Sequence, residues 1–266
     1  MTKGEPITYI HGTAPSEQAR LALLNRLTNG PFVEFLQVLP AMHVLEVGSG
    51  LGLLAADVAA AAEGVEVVGL ERSSEQIAAA ANSPRVKYVQ GDAHELPFAE
   101  ETFDLVYCRY LLEHVADPER VLGEMRRVTR PGGRVAAMEN DISLVRLDPP
   151  CPAVDEVWSA FARYQQQLGG DGLIGRRLFR LFTATGLQTV ELSLQPEVHW
   201  HGSPGFAGWI ENLLGNIRSA DQGLLESGFC TGQQLSLAAA ELTAHIHRLD
   251  ASYTFAWNRA VGVTSG

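Results

Sequence analysis

The chain has 266 residues, 46% of them hydrophobic and 19% charged, with a formal net charge of −11. That length supports one large domain or a domain with an elaboration, and the acidity argues against a nucleic-acid partner, which needs a basic face to displace counterions. No apolar run approaches the roughly 20 residues of a membrane span, and three scattered cysteines, Cys108, Cys151 and Cys230, offer neither a disulfide framework nor a zinc motif.

Residues 1–40 read as a helical lid segment, with Tyr9-Ile10-His11-Gly12-Thr13 first. A helix from Ser16 to about Leu27 follows, then a break at Gly30-Pro31 and a second helix to Leu39. From 41 to 139 strands and helices alternate, the signature of a parallel sheet with helices on both faces. His43–Val47 is the first strand, Leu51–Ala62 a helix, and Val65–Leu70 an unbroken apolar strand of the doubly buried kind. Ser73 or Ser74 caps a helix to Ala81, and Val86–Gln90 and Phe103–Cys108 are strands three and four. Asp117 and Pro118 open a helix to Val128, and strand five, Arg134–Glu139, follows the turn Arg130-Pro131-Gly132-Gly133.

After Asp141 the rhythm changes. A proline-rich connector, Asp148–Pro152, leads into an amphipathic helix over Ala153–Leu168. A helix at Gly175–Thr185, a strand at Leu187–Leu194, helices near Pro204–Ile217 and Thr231–Leu249, and a strand at Ser252–Val263 complete the chain. The expectation is an α/β, Rossmann-like, doubly wound and mostly parallel sheet of seven strands within residues 41–266, with helical elaborations at about 142–172 and 198–250. Substrate specificity is expected in those elaborations.

The chemistry concentrates at strand ends. Glu46-Val47-Gly48-Ser49-Gly50-Leu51-Gly52 runs from a strand into a helix, where glycines permit left-handed backbone and close approach of a ligand. Dinucleotide folds share the strand–turn–helix, but their fingerprint is G-x-G-x-x-G, and here the third glycine comes one residue early. Glu71 lies 21 residues beyond Gly50 at the end of strand two, where a carboxylate can accept both hydroxyls of a ribose. Gly91-Asp92-Ala93 ends strand three; Arg109, Tyr110 and His114 follow strand four; Glu139, Asn140 and Asp141 end strand five.

This series resembles the class I S-adenosylmethionine-dependent methyltransferases, in the ubiquinone-biosynthesis-like, small-molecule group. The resemblance runs through about five motifs over 44–139 and is only architectural beyond 141. It implies S-adenosylmethionine as cofactor, held by Glu46, Gly48, Ser49, Gly50 and Gly52 at its amino-acid end. Glu71 would take the ribose, Asp92 and Ala93 the adenine beside Gly91, and Arg72 would cover the adenine face. Arg109 and His114 would complete the contacts. The segment around Tyr9 and Arg20 looks like the lid of relatives acting on secondary metabolites, so both are candidates for the cofactor carboxylate.

The implied reaction moves a methyl group to an O, N or C atom of a small, apolar or aromatic acceptor. In-line displacement needs a base only where the acceptor must lose a proton. His199 and Glu139 are the candidate bases, and His11, Tyr110, Asn140, Asp141 and Trp200 candidate acceptor contacts. No metal is expected. The start Met-Thr-Lys-Gly-Glu-Pro lacks a secretory pattern, so a cytoplasmic monomer or homodimer acting on small molecules, with no nucleic-acid or membrane partner, is expected. Two alternatives stand: a protein using the cofactor for structure or a non-methyl reaction, and a nicotinamide-dependent oxidoreductase.

Overall fold

A computed structural model of the chain describes residues 15–265, with side chains from residue 18 onward. In chain order the elements are α1 (Pro15–Leu36), β1 (His43–Val47), α2 (Leu53–Ala60), β2 (Glu66–Glu71), α3 (Ser74–Ala79), β3 (Val86–Gln90) and β4 (Phe103–Arg109). They continue with α4 (Pro118–Val128), β5 (Thr129–Glu139), β6 (Arg146–Asp148), α5 (Pro152–Gln167), α6 (Leu178–Ala184) and β7 (Gln188–Trp200). The last are α7 (Phe206–Ser219), α8 (Asp221–Glu226), α9 (Gly232–Ile246) and β8 (Ser252–Val263). Among the described residues two compact units emerge: a sheet unit of residues 28–140, 174–195 and 258–265, and a helical unit of 15–27, 141–173 and 196–257.

In the sheet unit the strand order is β3-β2-β1-β4-β5-β8. The first five are parallel; β8 runs antiparallel to β5, from Arg134↔Val263 to Glu139↔Asn258. The doubly wound, mostly parallel architecture expected from the alternating pattern is therefore present. Its central strands are buried on both faces, which is why they read as apolar runs. One face carries Leu45, Val47, Leu70, Val106, Cys108 and Ala137 in a core with Val121, Leu122, Met125 and Val128 of α4 and Leu178, Leu181 and Phe182 of α6. The α4 residues recur at helical spacing, and Asp117 Oδ1 caps the helix by accepting from Arg120 N at 2.9 Å. Against the other face lie aromatic residues of α1: Phe32 meets Tyr107 edge-on with ring centroids 5.9 Å apart.

Several expectations are corrected. α1 is one helix from Pro15 to Leu36, passing through Gly30 and Pro31 instead of breaking there. A proline's φ is helical, so its cost is a lost hydrogen bond and crowding of the preceding turn. Burial of Phe32, Phe35 and Leu36 and the anchoring of Thr28 and Asn29 offset it. The predicted helix over 175–185 starts as a tight turn, Ile174–Arg177, before α6. Gly175 donates to Asn140 O at 2.8 Å so closely that a Cβ would lie 2.6 Å from that oxygen. β7 runs on to Trp200, and α8 is an added short helix. The described residues hold eight strands, the extra one being β6, which opens the predicted connector. The arginines that end and follow α4 serve the fold, as a cation-rich helix end implies: Arg127 pairs with Glu124 at 2.8 Å, Arg130 with Asp104 at 2.7 Å, and Arg134 donates to Gln37 O.

The helical unit is built from α5, α7, α8 and α9, with β6 paired to residues 252–254 of β8. Trp209, 1% exposed, stacks on Tyr253 at 5.8 Å and lies 5.9 Å from Trp257. Trp158 stacks on Phe161 at 5.0 Å and donates its indole N–H to Ile142 O. Phe161, Phe206 and Trp209 are buried in the core of this unit, whereas Trp200 is exposed.

Candidate cofactor site

β1 ends at Val47, and the next five residues turn the chain into α2. Gly48, Gly50 and Gly52 have φ of 79°, 52° and 66°, a region costly for any side-chain-bearing residue. The N–H groups of Gly48 and Ser49 both donate to Leu70 O, at 2.8 and 2.9 Å, so the turn hangs from the end of β2. Close packing also fixes the glycines. A Cβ on Gly52 would fall 1.9 Å from the Tyr88 hydroxyl oxygen, and one on Gly48 would fall 2.9 Å from Leu111 Cδ1. Gly52 caps α2 without a side-chain hydrogen bond, and the Ala55 N–H of its first turn acts on the Glu46 carboxyl.

Glu71 joins the loop to the next element. Its Oε2 accepts from Gly50 N at 3.0 Å and its Oε1 from Ser73 N at 2.8 Å. An ionised carboxylate offers about four lone-pair directions, so two remain for hydroxyls. At the end of β3, Gly91 N donates to Glu71 O, and Asp92 Oδ1 accepts from both the backbone N and ring Nδ1 of His94, at 2.8 and 2.7 Å. Partial burial works to raise the Asp92 pKa, but the His94 hydrogen bonds outweigh it and hold the carboxyl below its ordinary value.

Glu46 lies one residue inside the strand end and is 4% exposed. Its strand partners are Gly69, which has no side chain to cover it, and Tyr107. Burial pushes its pKa up to about 8, with Arg109 and Tyr107 pulling the other way. Glu46 Oε2 has no hydrogen-bond partner among the described residues. A buried carboxylate oxygen without a partner is costly, and a cation brought beside it removes that cost.

After β4 the chain turns sharply: Tyr110 has φ of 53°, and Leu112–His114 form a tight turn. Glu139, fully buried at the end of β5, holds this turn, its Oε1 accepting from Leu111 N at 3.0 Å and Leu112 N at 2.9 Å. Burial, reinforced by Glu113, pushes Glu139 up to about 8. Asn140 Nδ2 donates to Glu113 Oε1, which lies 3.8 Å from His114 Nε2. Arg109 turns toward α1, donating to Thr28 Oγ1 at 3.0 Å and Asn29 Oδ1 at 2.8 Å.

Residues 45–137 match the family model of a methyltransferase domain. The matched stretch is the one whose motifs resemble the class I S-adenosylmethionine-dependent methyltransferases, and relatives named as methyltransferases align over parts of the chain. A protein of 37.1 kDa from a Streptomyces fradiae transposon is 31% identical over 191 residues, 68% of this chain and 52% of that protein. The demethylmenaquinone methyltransferase of Beutenbergia cavernae is 37% identical over 117 residues, 44% of this chain and 48% of that enzyme. The chain thus spans about half the length of these two relatives. A crystal structure of a Bacillus halodurans C-125 protein, described as a methyltransferase, shares the fold with a TM-score of 0.62 at 16% identity, covering 90% of this chain and 100% of that one.

The cofactor of this methyltransferase domain is S-adenosylmethionine. The residues present suit its chemistry: an unpartnered buried carboxylate oxygen on Glu46 for a cation, a glycine loop held by Leu70 O and packed against Tyr88 and Leu111, and spare acceptor capacity on Glu71. The sheet unit brings together Glu46, Gly48–Gly52, Glu71, Arg72, Gly91–Ala93, Arg109, Tyr110, His114, Glu139 and Asn140. Arg20, Asp141, His199 and Trp200 belong to the helical unit. There Arg20 donates to Asn212 Oδ1 at 3.0 Å, and Asp141 Oδ1 accepts from Ser143 N and Oγ. His199 has Glu197 Oε2 at 3.1 Å from Nε2 and Pro204 O at 3.2 Å from Nδ1. Tyr9 and His11 lie outside the described residues. Sequence reasoning missed the loop roles of Tyr88 and Leu111 and read Ser73 as the α3 cap that it is, without its backbone N–H to Glu71, because packing and backbone N–H contacts leave no motif.

Proposed function

We propose that the chain transfers the S-methyl group of S-adenosylmethionine to an O, N or C atom of a small, apolar or aromatic metabolite. The observation that carries this is the Glu71 carboxylate tied at once to Gly50 N and Ser73 N. That tie holds the strand-end acid against the glycine loop, which supports a ribose-binding role for it. When bound, the cofactor supplies a methyl group activated on a sulfonium sulfur, with a neutral thioether as leaving group.

The chain's part is to bind, orient and exclude water. Glu46 accepts the cofactor's ammonium, Gly48–Gly52 offer backbone to its amino-acid end, and Glu71 accepts from its ribose hydroxyls. Asp92 and the Ala93 N–H read the adenine, beside Gly91, with Arg72 over the ring face. Arg109 acts at one remove, holding α1 through Thr28 and Asn29 and balancing Glu46. Glu139, buried and bonded to two backbone N–H groups, suits the positioning of the Leu111–His114 turn better than proton abstraction.

His199 remains the other candidate base, with Glu197 Oε2 and Pro204 O beside its ring nitrogens. Its Nε2 lies 3.1 Å from Glu197 Oε2, and burial raises the Glu197 pKa while the neighbouring His199 pulls it the other way. Tyr110, Asn140, Asp141, Trp200 and His11 remain proposals for the acceptor, and Tyr9, Arg20, Ser49 and His114 for the cofactor. Three unpaired cysteines fit a reducing cytoplasm. A monomer or homodimer without nucleic-acid or membrane partners completes the proposal; no helix among the described residues is long and apolar enough to cross a membrane.

The test is calorimetric titration of S-adenosylmethionine into wild type and Glu71→Ala, followed by an acceptor panel scored for S-adenosylhomocysteine. Loss of one charged hydrogen-bonding group is expected to weaken binding by about 10- to 100-fold. Equal affinity in the two proteins would remove the reading of Glu71, and binding without turnover on any acceptor would favour the non-methyl alternative.

A further inference from the structure

Two arginines stand in register on the same face of the sheet at its carboxyl end, where open α/β sheets bind ligands. Arg109 of β4 pairs with Met138 of β5, which pairs with Arg259 of β8. Since Val47 pairs with Cys108, Arg259 lies three strand spacings from the glycine loop, about 14 Å. Arg109 is spent on Thr28 and Asn29 and offsets the Glu46 carboxylate. Arg259 is different.

Its Nε donates to Ser193 Oγ at 3.3 Å and its Nη1 to Gln195 Oε1 at 2.9 Å, both neutral acceptors. The guanidinium carbon sits 4.3 Å from the centroid of the buried Phe35 ring. Arg259 makes no ion pair with a carboxylate of the described residues. Ser193 Oγ donates to the exposed Glu191, whose charge acts on Arg259 from a distance without a bonded contact. Burial outweighs it and draws the Arg259 pKa down.

A brace between β7 and β8 would account for two of the five guanidinium N–H donors. It would not require a charge, and a half-buried cation among neutral partners is unfavourable until an anion arrives. The planar fork, held from one side by Ser193 and Gln195 and from a face by Phe35, is preset for bidentate contact with a carboxylate or phosphate.

We infer that Arg259 recognises an anionic group, carboxylate or phosphate, on the methyl acceptor. The inference rests on the methyltransferase reading and narrows its substrate class to an apolar or aromatic body bearing one anionic substituent. The overall charge of −11 does not oppose this, because a single anion bound at short range responds to the local guanidinium more than to screened distant charges.

The test uses benzoate, phenyl phosphate and neutral benzamide as probes, titrated by ligand-observed NMR into the full chain with and without S-adenosylhomocysteine. One or both anions are expected to bind in the millimolar range appropriate to so few heavy atoms, at least tenfold more tightly than benzamide. Which anion binds distinguishes carboxylate from phosphate acceptors. Arg259→Gln should abolish that preference and Arg259→Lys should retain part of it, while S-adenosylmethionine affinity stays at the wild-type value in both. Anions and benzamide binding alike, neither anion binding, or an undiminished preference in Arg259→Gln would each overturn the inference. A wild type that fails to bind S-adenosylmethionine would overturn the enzymatic reading instead, with the anion preference still deciding the role of Arg259.

Discussion

Gly52→Ala tests the cofactor loop most directly. The residue has φ of 66°, and an added Cβ would lie 1.9 Å from Tyr88 Oη, 2.5 Å from Cζ and 2.7 Å from Cε1. Left-handed backbone for an alanine costs about 1–2 kcal/mol, and forcing a methyl into packed space typically adds about 1–3 kcal/mol. Tyr88 cannot yield freely, because its hydroxyl donates to Ala81 O at 2.9 Å. The sum, roughly 2–5 kcal/mol, should appear as a lower urea midpoint with an unchanged slope. Tyr88→Phe should give little relief, since ring carbons as well as the hydroxyl occupy the space. Tyr88→Leu clears it, and the double variant should recover the overlap while leaving the backbone cost. A double-mutant cycle should therefore show coupling of about 1–3 kcal/mol for Leu and near zero for Phe. Gly52→Ala within about 0.5 kcal/mol of wild type, or Leu and Phe rescuing equally, would refute the packing argument.

The two buried acids make pH-dependent predictions. Glu46 and Glu139 are each raised to about 8, so between the carboxylate's ordinary 4.5 and about 8 the folded state holds protons that the unfolded chain has released. Stability attributable to each should fall with rising pH across that window, by up to about 1.4 kcal/mol per unit, and level off outside it. Glu139→Gln keeps an acceptor for Leu111 and Leu112 and should flatten its share of the decline, whereas Glu139→Ala leaves both N–H groups unmet and should lose about 2 kcal/mol or more; identical pH profiles for wild type and Glu139→Gln would contradict the assignment. Near neutral pH, S-adenosylmethionine binding should release a proton from Glu46, read as a dependence of calorimetric enthalpy on buffer ionisation that Glu46→Gln diminishes. Asp117→Ala should destabilise the fold by about 1 kcal/mol through loss of the α4 cap, with S-adenosylmethionine affinity unchanged; a tenfold weaker affinity would mean that α4 bears on the site directly.

Much of the cofactor half was legible in the sequence because backbone conformation encodes it. Left-handed glycines, a strand-end acid and strands buried on both faces leave marks at fixed spacings, and His43–Val47, Val86–Gln90 and Ser252–Val263 fall at the residues expected. The break read at Gly30-Pro31 was misplaced because local propensity was outweighed by tertiary contacts: Phe32, Phe35 and Leu36 are buried on the helix that should have ended. Likewise, Glu139 reads as a candidate base at a strand end, yet only three dimensions show that its oxygen accepts from two backbone N–H groups nearly thirty residues away in sequence.

The acceptor half was less legible for a different reason. Its recognition, as argued for Arg259, uses side chains brought into line by antiparallel pairing of β5 with a strand more than a hundred residues later. No short motif spans that distance. What distinguishes Arg259 from the structural arginines is the identity of its neighbours: Arg127 and Arg130 each face a carboxylate, whereas Arg259 faces a hydroxyl, an amide and a phenyl ring. Composition counts all three as equal cations. The sheet separates those already neutralised from one that has no bonded carboxylate among the described residues, and that difference makes the chemical class of the acceptor an experimental question with a definite answer.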